Sequence, residues 1–114
     1  MEWQRSSIEY LSTFPKQNHK KIFLEILENA KEDSFIKMDA AMGLANLKDE
    51  SSVDAIIKTC EKESAHSDYN ARTYLVALSK IKGEKAKRYI EKYKNSKENM
   101  VKDLANELLA GWGK

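Results

Sequence analysis

From Trp3 to Leu109, apolar residues recur at intervals of three and four, and nowhere do they alternate singly over a useful length. That spacing gathers each set on one face of a helix, so the chain is predicted to be helical throughout, with no strand. A first helix carries Trp3, Ser7, Tyr10, Leu11 and Phe14 and is ended by Pro15. A second carries Ile22, Phe23, Ile26, Leu27 and Ala30. Glu32-Asp33-Ser34 offers a cap for a third, with Ile36, Ala40, Gly43, Leu44 and Leu47 in its stripe. The turn Asp49-Glu50-Ser51-Ser52 starts a fourth with Val53, Ile56, Ile57 and Cys60. After a loop from Ser64 to Asp68, a fifth helix presents Ala71, Tyr74, Leu75, Leu78 and Ile81 and closes at Gly83. The sixth has Ala86, Tyr89, Ile90 and Tyr93. The seventh has Val101, Leu104, Ala105, Leu108 and Leu109 and ends at Gly111. Short connections favour antiparallel neighbours.

Length and composition agree with one domain spanning 1–114. The 114 residues include one proline and four glycines, which leaves helix formers dominant, and 41% are hydrophobic, too many for a disordered chain. The single Cys60 excludes an internal disulfide and a cysteine-built zinc site. In an apolar row it reads as a small buried hydrophobe. No apolar run reaches the roughly 18 residues of a membrane span, and the N-terminus lacks the pattern of a secretory signal. The expected setting is therefore cytoplasmic. Net charge is +2, unevenly placed: residues 1–63 hold nine Lys/Arg against twelve Asp/Glu, and residues 64–114 hold eleven against six.

An internal repeat underlies the periodicity. Ile36-Lys37 is followed by Ala40 and Leu44, and Val101-Lys102 by Ala105 and Leu109, so both copies share a branched residue, a lysine, Ala at +4 and Leu at +8. Ala71-Arg72 leads into Leu75 and Leu78 in a similar way. On these residues the chain resembles HEAT and HEAT-like (phycobilisome-lyase-type) repeats, over roughly residues 17–110. Asp33 to Leu47 followed by Ser51 to Cys60 fits best. Asp68 to Ile81 followed by Glu84 to Tyr93 fits next. A spacing of about 34 residues is also that of tetratricopeptide repeats, but their Trp, Gly and Tyr signature is missing. The resemblance implies a right-handed α-α superhelix (a HEAT-like solenoid) of about three hairpins. An N-terminal capping helix covers one end, and Trp112 closes the other.

The residues suggest no catalytic constellation, metal site or cofactor. His19 and His66 sit in or beside polar turns without ligands at the required spacing, and read as solvated surface side chains. Ser51-Ser52 and Ser96 read as caps, and Ser6-Ser7 has no base suggested nearby. Asp54/Lys58, Glu84/Arg88 and Glu98/Lys102 have the four-residue spacing of helix-supporting pairs. An enzyme is not expected.

Two binding surfaces remain. The resemblance places the third, fifth and seventh helices on the concave side. Turning each by about 100° per residue points Met38 and Met42 away from the core on the third. The same rotation exposes Tyr69, Arg72, Thr73, Val76 and Lys80 on the fifth, and Asn99, Asp103 and Asn106 on the seventh. Methionine, tyrosine, arginine and valine there suggest a surface covered by a protein or peptide partner. For Met38 and Met42, cover by the first helix is an equal reading. The alternative is nucleic acid held by Lys85, Arg88 and Lys92 on one face of the sixth helix. Glu84 and Glu91 interrupt that stripe, which favours a solvated outer face.

Overall fold

The computed structural model describes residues 8, 11, 16–29 and 31–112. Six helices are bounded within them: α1 (Lys20–Glu28), α2 (Ser34–Asn46), α3 (Val53–Glu63), α4 (Arg72–Ile81), α5 (Glu84–Glu91) and α6 (Asn99–Ala110). The described residues contain no strand. The first predicted helix falls largely outside them, with Trp3, Ser7, Tyr10, Phe14 and Pro15. Ile8 and Leu11 are helical, and Ile8, which its predicted stripe omits, is fully buried.

Local chemistry explains the boundaries. Asp33 caps α2 by accepting the Phe35 N–H at 2.8 Å. Asp49, rather than a serine, caps the turn into α3. It accepts the Ser51 N–H at 3.1 Å and the Ser51 hydroxyl at 2.6 Å, while Ser52 donates back to the Asp49 carbonyl at 2.6 Å. Lys20 on α1 joins this cluster through Asp49 (3.0 Å) and Ser51 Oγ (2.6 Å). Burial raises the Asp49 pKa, but the bonds from Ser51 and Lys20 outweigh it and hold the carboxyl below its ordinary value. Ser67 starts a 3-10 turn, Asp68–Ala71, that feeds α4. That helix ends as Lys82 and Gly83 take φ of 68° and 96°. Gly83 supplies at low cost the backbone that other residues avoid.

The helices form two layers. In one, α2 packs on α4 and α4 on α6. In the other, α1 packs on α3 and α3 on α5, while α1 on α2, α3 on α4 and α5 on α6 join the layers. Most of the predicted stripes fill the space between, although in the last of them Leu104, Leu108 and Leu109 are only half-buried. Phe23, Ile26, Ala40, Leu44, Ile56, Cys60, Tyr74, Leu75, Leu78, Ala86, Ile90, Val101 and Ala105 are all buried. Lys37 is buried as well. Gly43 leaves room on α2 for Phe23 of α1, since a Cβ there would lie 2.5 Å from the Phe23 ring. Trp112 packs half-buried against the end of the core.

The core is not wholly apolar. The Tyr93 hydroxyl lies 3.1 Å from Tyr89 Oη, 3.4 Å from Ser64 Oγ and 3.8 Å from Cys60 Sγ, which ties α3 to α5 and the turn after it. Burial pushes the Cys60 thiol up, so it stays protonated and unreactive. The Tyr74 hydroxyl, also buried, has no hydrogen-bond partner among the described residues.

Candidate functional site

The face formed by α2, α4 and α6 carries two adjoining cavities of about 450 and 550 Å³, both lined by Arg72 and Thr73. The first is bounded by Ser34, Phe35, Met38 and Asp39 from the start of α2, and by Glu63 from the end of α3. Tyr69 and Asn70 from the turn before α4 complete its walls. The second runs between Val76 of α4 and Met100, Asp103, Leu104 and Glu107 of α6. Together they make one groove across the three helices.

Backbone chemistry fixes its centre. Ser67 Oγ accepts the Tyr69 N–H at 3.3 Å, and Asn70 Nδ2 donates to the Glu63 carbonyl at 3.1 Å, which clamps the turn to the end of α3. Arg72 donates from Nε to the Tyr69 carbonyl at 3.1 Å, and its guanidinium carbon stacks 3.6 Å from the centre of the Tyr69 ring. Tyr69 is thereby stacked on Arg72 with its ring exposed.

Of the ten residues assigned to this surface from the sequence, Met38, Tyr69, Arg72, Thr73, Val76 and Asp103 line the two cavities. Met42 lines neither and is half-buried against the core. Lys80 Nζ lies 3.4 Å from Asn46 Oδ1 at the far end of α4. Asn99 is exposed outside both cavities, and Asn106 bonds back to the Lys102 carbonyl at 3.0 Å. Phe35, Met100, Glu63 and Glu107 were not anticipated. The spacing Phe35, Met38, Met42 is a second apolar row on α2, and it was the available signal for Phe35.

On α5, the three basic residues of the alternative reading all engage the protein itself. Lys85 pairs with Asp54, which does not pair with Lys58 as the helical spacing suggested. Arg88 pairs with Glu84 at 3.3 Å, and Lys92 sits 5.4 Å over the Tyr89 ring. His66 is exposed. His19 is half-buried instead, accepting the Lys16 N–H on Nδ1 at 3.2 Å and standing edge-on to Phe23. Ser96 Oγ accepts the Glu98 N–H at 3.1 Å and donates to Asp68 at 2.7 Å, acting as a turn brace. No cluster of three or more candidate metal ligands occurs among the described residues. Nor is any helix among them long and apolar enough to cross a membrane.

Searches against family models, curated proteins and solved structures found no match to this chain.

Proposed function

We propose that the chain is a non-catalytic protein–protein interaction module, a HEAT-like stack of helical hairpins whose α2, α4 and α6 face receives a partner protein or peptide. One observation carries this reading. The exposed large hydrophobics among the described residues are Phe35 (55% exposed), Tyr69 (42%) and Met100 (59%), and all three lie on the rims of the two adjoining cavities. Scattered exposed apolar side chains are ordinary, but their concentration along one groove marks a surface that gains by being covered. Repetition of helical hairpins in two layers suits such a surface, because stacked repeats present an extended face to a partner.

Tyr69 has the qualities of an anchor: large, amphipathic and pre-set by the Arg72 stack, so that little side-chain freedom is lost on binding. Replacing it with alanine weakens the complex by about 2 kcal/mol, in the range of a binding hot spot, while circular dichroism and melting temperature stay near wild type. Calorimetry with the purified partner measures the first, and undiminished affinity in Tyr69→Ala and in Arg72→Ala would assign binding to another face.

Nucleic acid remains the second reading, through Lys85, Arg88 and Lys92. Those side chains are already engaged with Asp54, Glu84 and Tyr89, although exposed pairs of this kind are weak and yield readily to phosphate. A steep loss of affinity with rising salt is its signature.

A further inference from the structure

Resting on the interaction reading, we propose that the partner presents a basic segment and seats a lysine or arginine side chain in the cavity beside Glu63. The chain as a whole is +2, yet its groove is acidic. Glu63 lines the first cavity, Asp103 and Glu107 line the second, and among the described residues Arg72 is the one cation lining either. Arg72 is ion-paired with none of them. Its guanidinium is committed to the Tyr69 ring and carbonyl and forms no ion pair among the described residues.

Glu63 shows where a cation fits. Its half-buried carboxyl stands on the cavity lining, with Oε1 unpartnered among the described residues, and Asn70 beside it donates to the Glu63 carbonyl instead of the carboxylate. A half-buried carboxylate is a costly group to leave unmet, and a charge-assisted bond from an ammonium or guanidinium is its strongest complement. The walls suit the rest of such a side chain. The Phe35 and Tyr69 rings and the Met38 thioether offer apolar surface to an aliphatic stem, and ring faces attract cations. Beyond the anchor, Asp103 and Glu107 continue the same charge along α6, so neighbouring basic residues of the segment are drawn into the second cavity. An acidic or phosphorylated segment meets more like charge than opposite charge along this groove.

The test pans a phage-displayed library of random short peptides on the full chain and measures the enriched peptides by fluorescence anisotropy. Enriched sequences carry lysine or arginine, and their binding weakens as salt rises. Glu63→Gln lowers their affinity about tenfold, as loss of one charge-assisted contact does. Tyr69→Ala also lowers it, and Lys85→Ala on the outer helix leaves it unchanged. Melting curves confirm that each variant is folded. Peptides without a cation that need Tyr69 but ignore Glu63→Gln overturn this inference and leave the groove reading standing. Peptides indifferent to both, or no enrichment, overturn the two together. Sedimentation of the wild-type chain shows a monomer. A dimer dispersed by Glu63→Lys would make a second copy the occupant and overturn the assignment to a separate partner.

Discussion

Two tyrosines of the core carry the same hydroxyl into different surroundings. Tyr93 meets Tyr89, Ser64 and Cys60, whereas Tyr74, fully buried on α4, leaves its oxygen without a hydrogen-bond partner among the described residues. Burial raises the Tyr74 pKa and the charge of Glu63 raises it further, so this hydroxyl stays neutral at any ordinary pH. The two phenylalanine substitutions therefore act in opposite directions. Tyr93→Phe removes made bonds and destabilises by about 1 kcal/mol, while Tyr74→Phe relieves an unmet group and is neutral to stabilising by up to about 1 kcal/mol. Urea unfolding of both variants reads the difference. Equal losses would show that the Tyr74 hydroxyl has a partner after all. None of this was legible in the sequence, because Tyr93 lies 29 and 33 residues from Ser64 and Cys60. Periodicity marked all of them except Ser64 as members of apolar stripes, which is true of their rings and says nothing of their polar tips.

At the scale of elements, the sequence was informative wherever the signal is local. The Asp33 cap, the stripes of α2 to α5 and the break at Gly83 follow from residues a few positions apart, and the structure has them where the spacing put them. Contacts between elements were less legible. Asp54 reaches Lys85 on α5 rather than Lys58 one turn along, since a partner across a helix interface leaves no trace in local spacing. Phe35 and Met100 sit immediately before the buried Ile36 and Val101, and a stripe drawn through those buried residues passes their exposed neighbours by. Gly43 was legible as a member of the α2 stripe but not as a contact. Its missing side chain is what admits the Phe23 ring, which is fully buried. Gly43→Ala gains about 1 kcal/mol in helix propensity but costs about 1–3 kcal/mol in overpacking, so stability falls. Phe23→Leu in the same chain recovers part of the loss, and chemical denaturation of the single and double variants checks the coupling. Strictly additive losses would mean that Gly43 and Phe23 do not press on each other.

Across the whole molecule, two helical layers divide the work. The α1, α3 and α5 layer closes the core from behind and ties its charges to one another through Lys20–Asp49, Asp54–Lys85 and Glu84–Arg88. The α2, α4 and α6 layer carries apolar rims along one groove, with the Asp103 and Glu107 carboxylates of α6 lining one end. Helical rotation alone found Met38, Tyr69, Arg72, Thr73, Val76 and Asp103 in that groove. It missed two of the exposed apolar side chains, because Phe35 belongs to the first turn of a helix and Met100 stands beside a core residue. The most direct test of the account is site-specific photocrosslinking in a lysate of the source cells. p-Benzoylphenylalanine replaces Phe35, Met100 or, on the outer layer, the exposed Glu91. The account predicts the same discrete protein adduct from positions 35 and 100 and none from position 91. Adducts from position 91 alone, whether with protein or with nucleic acid, would contradict it.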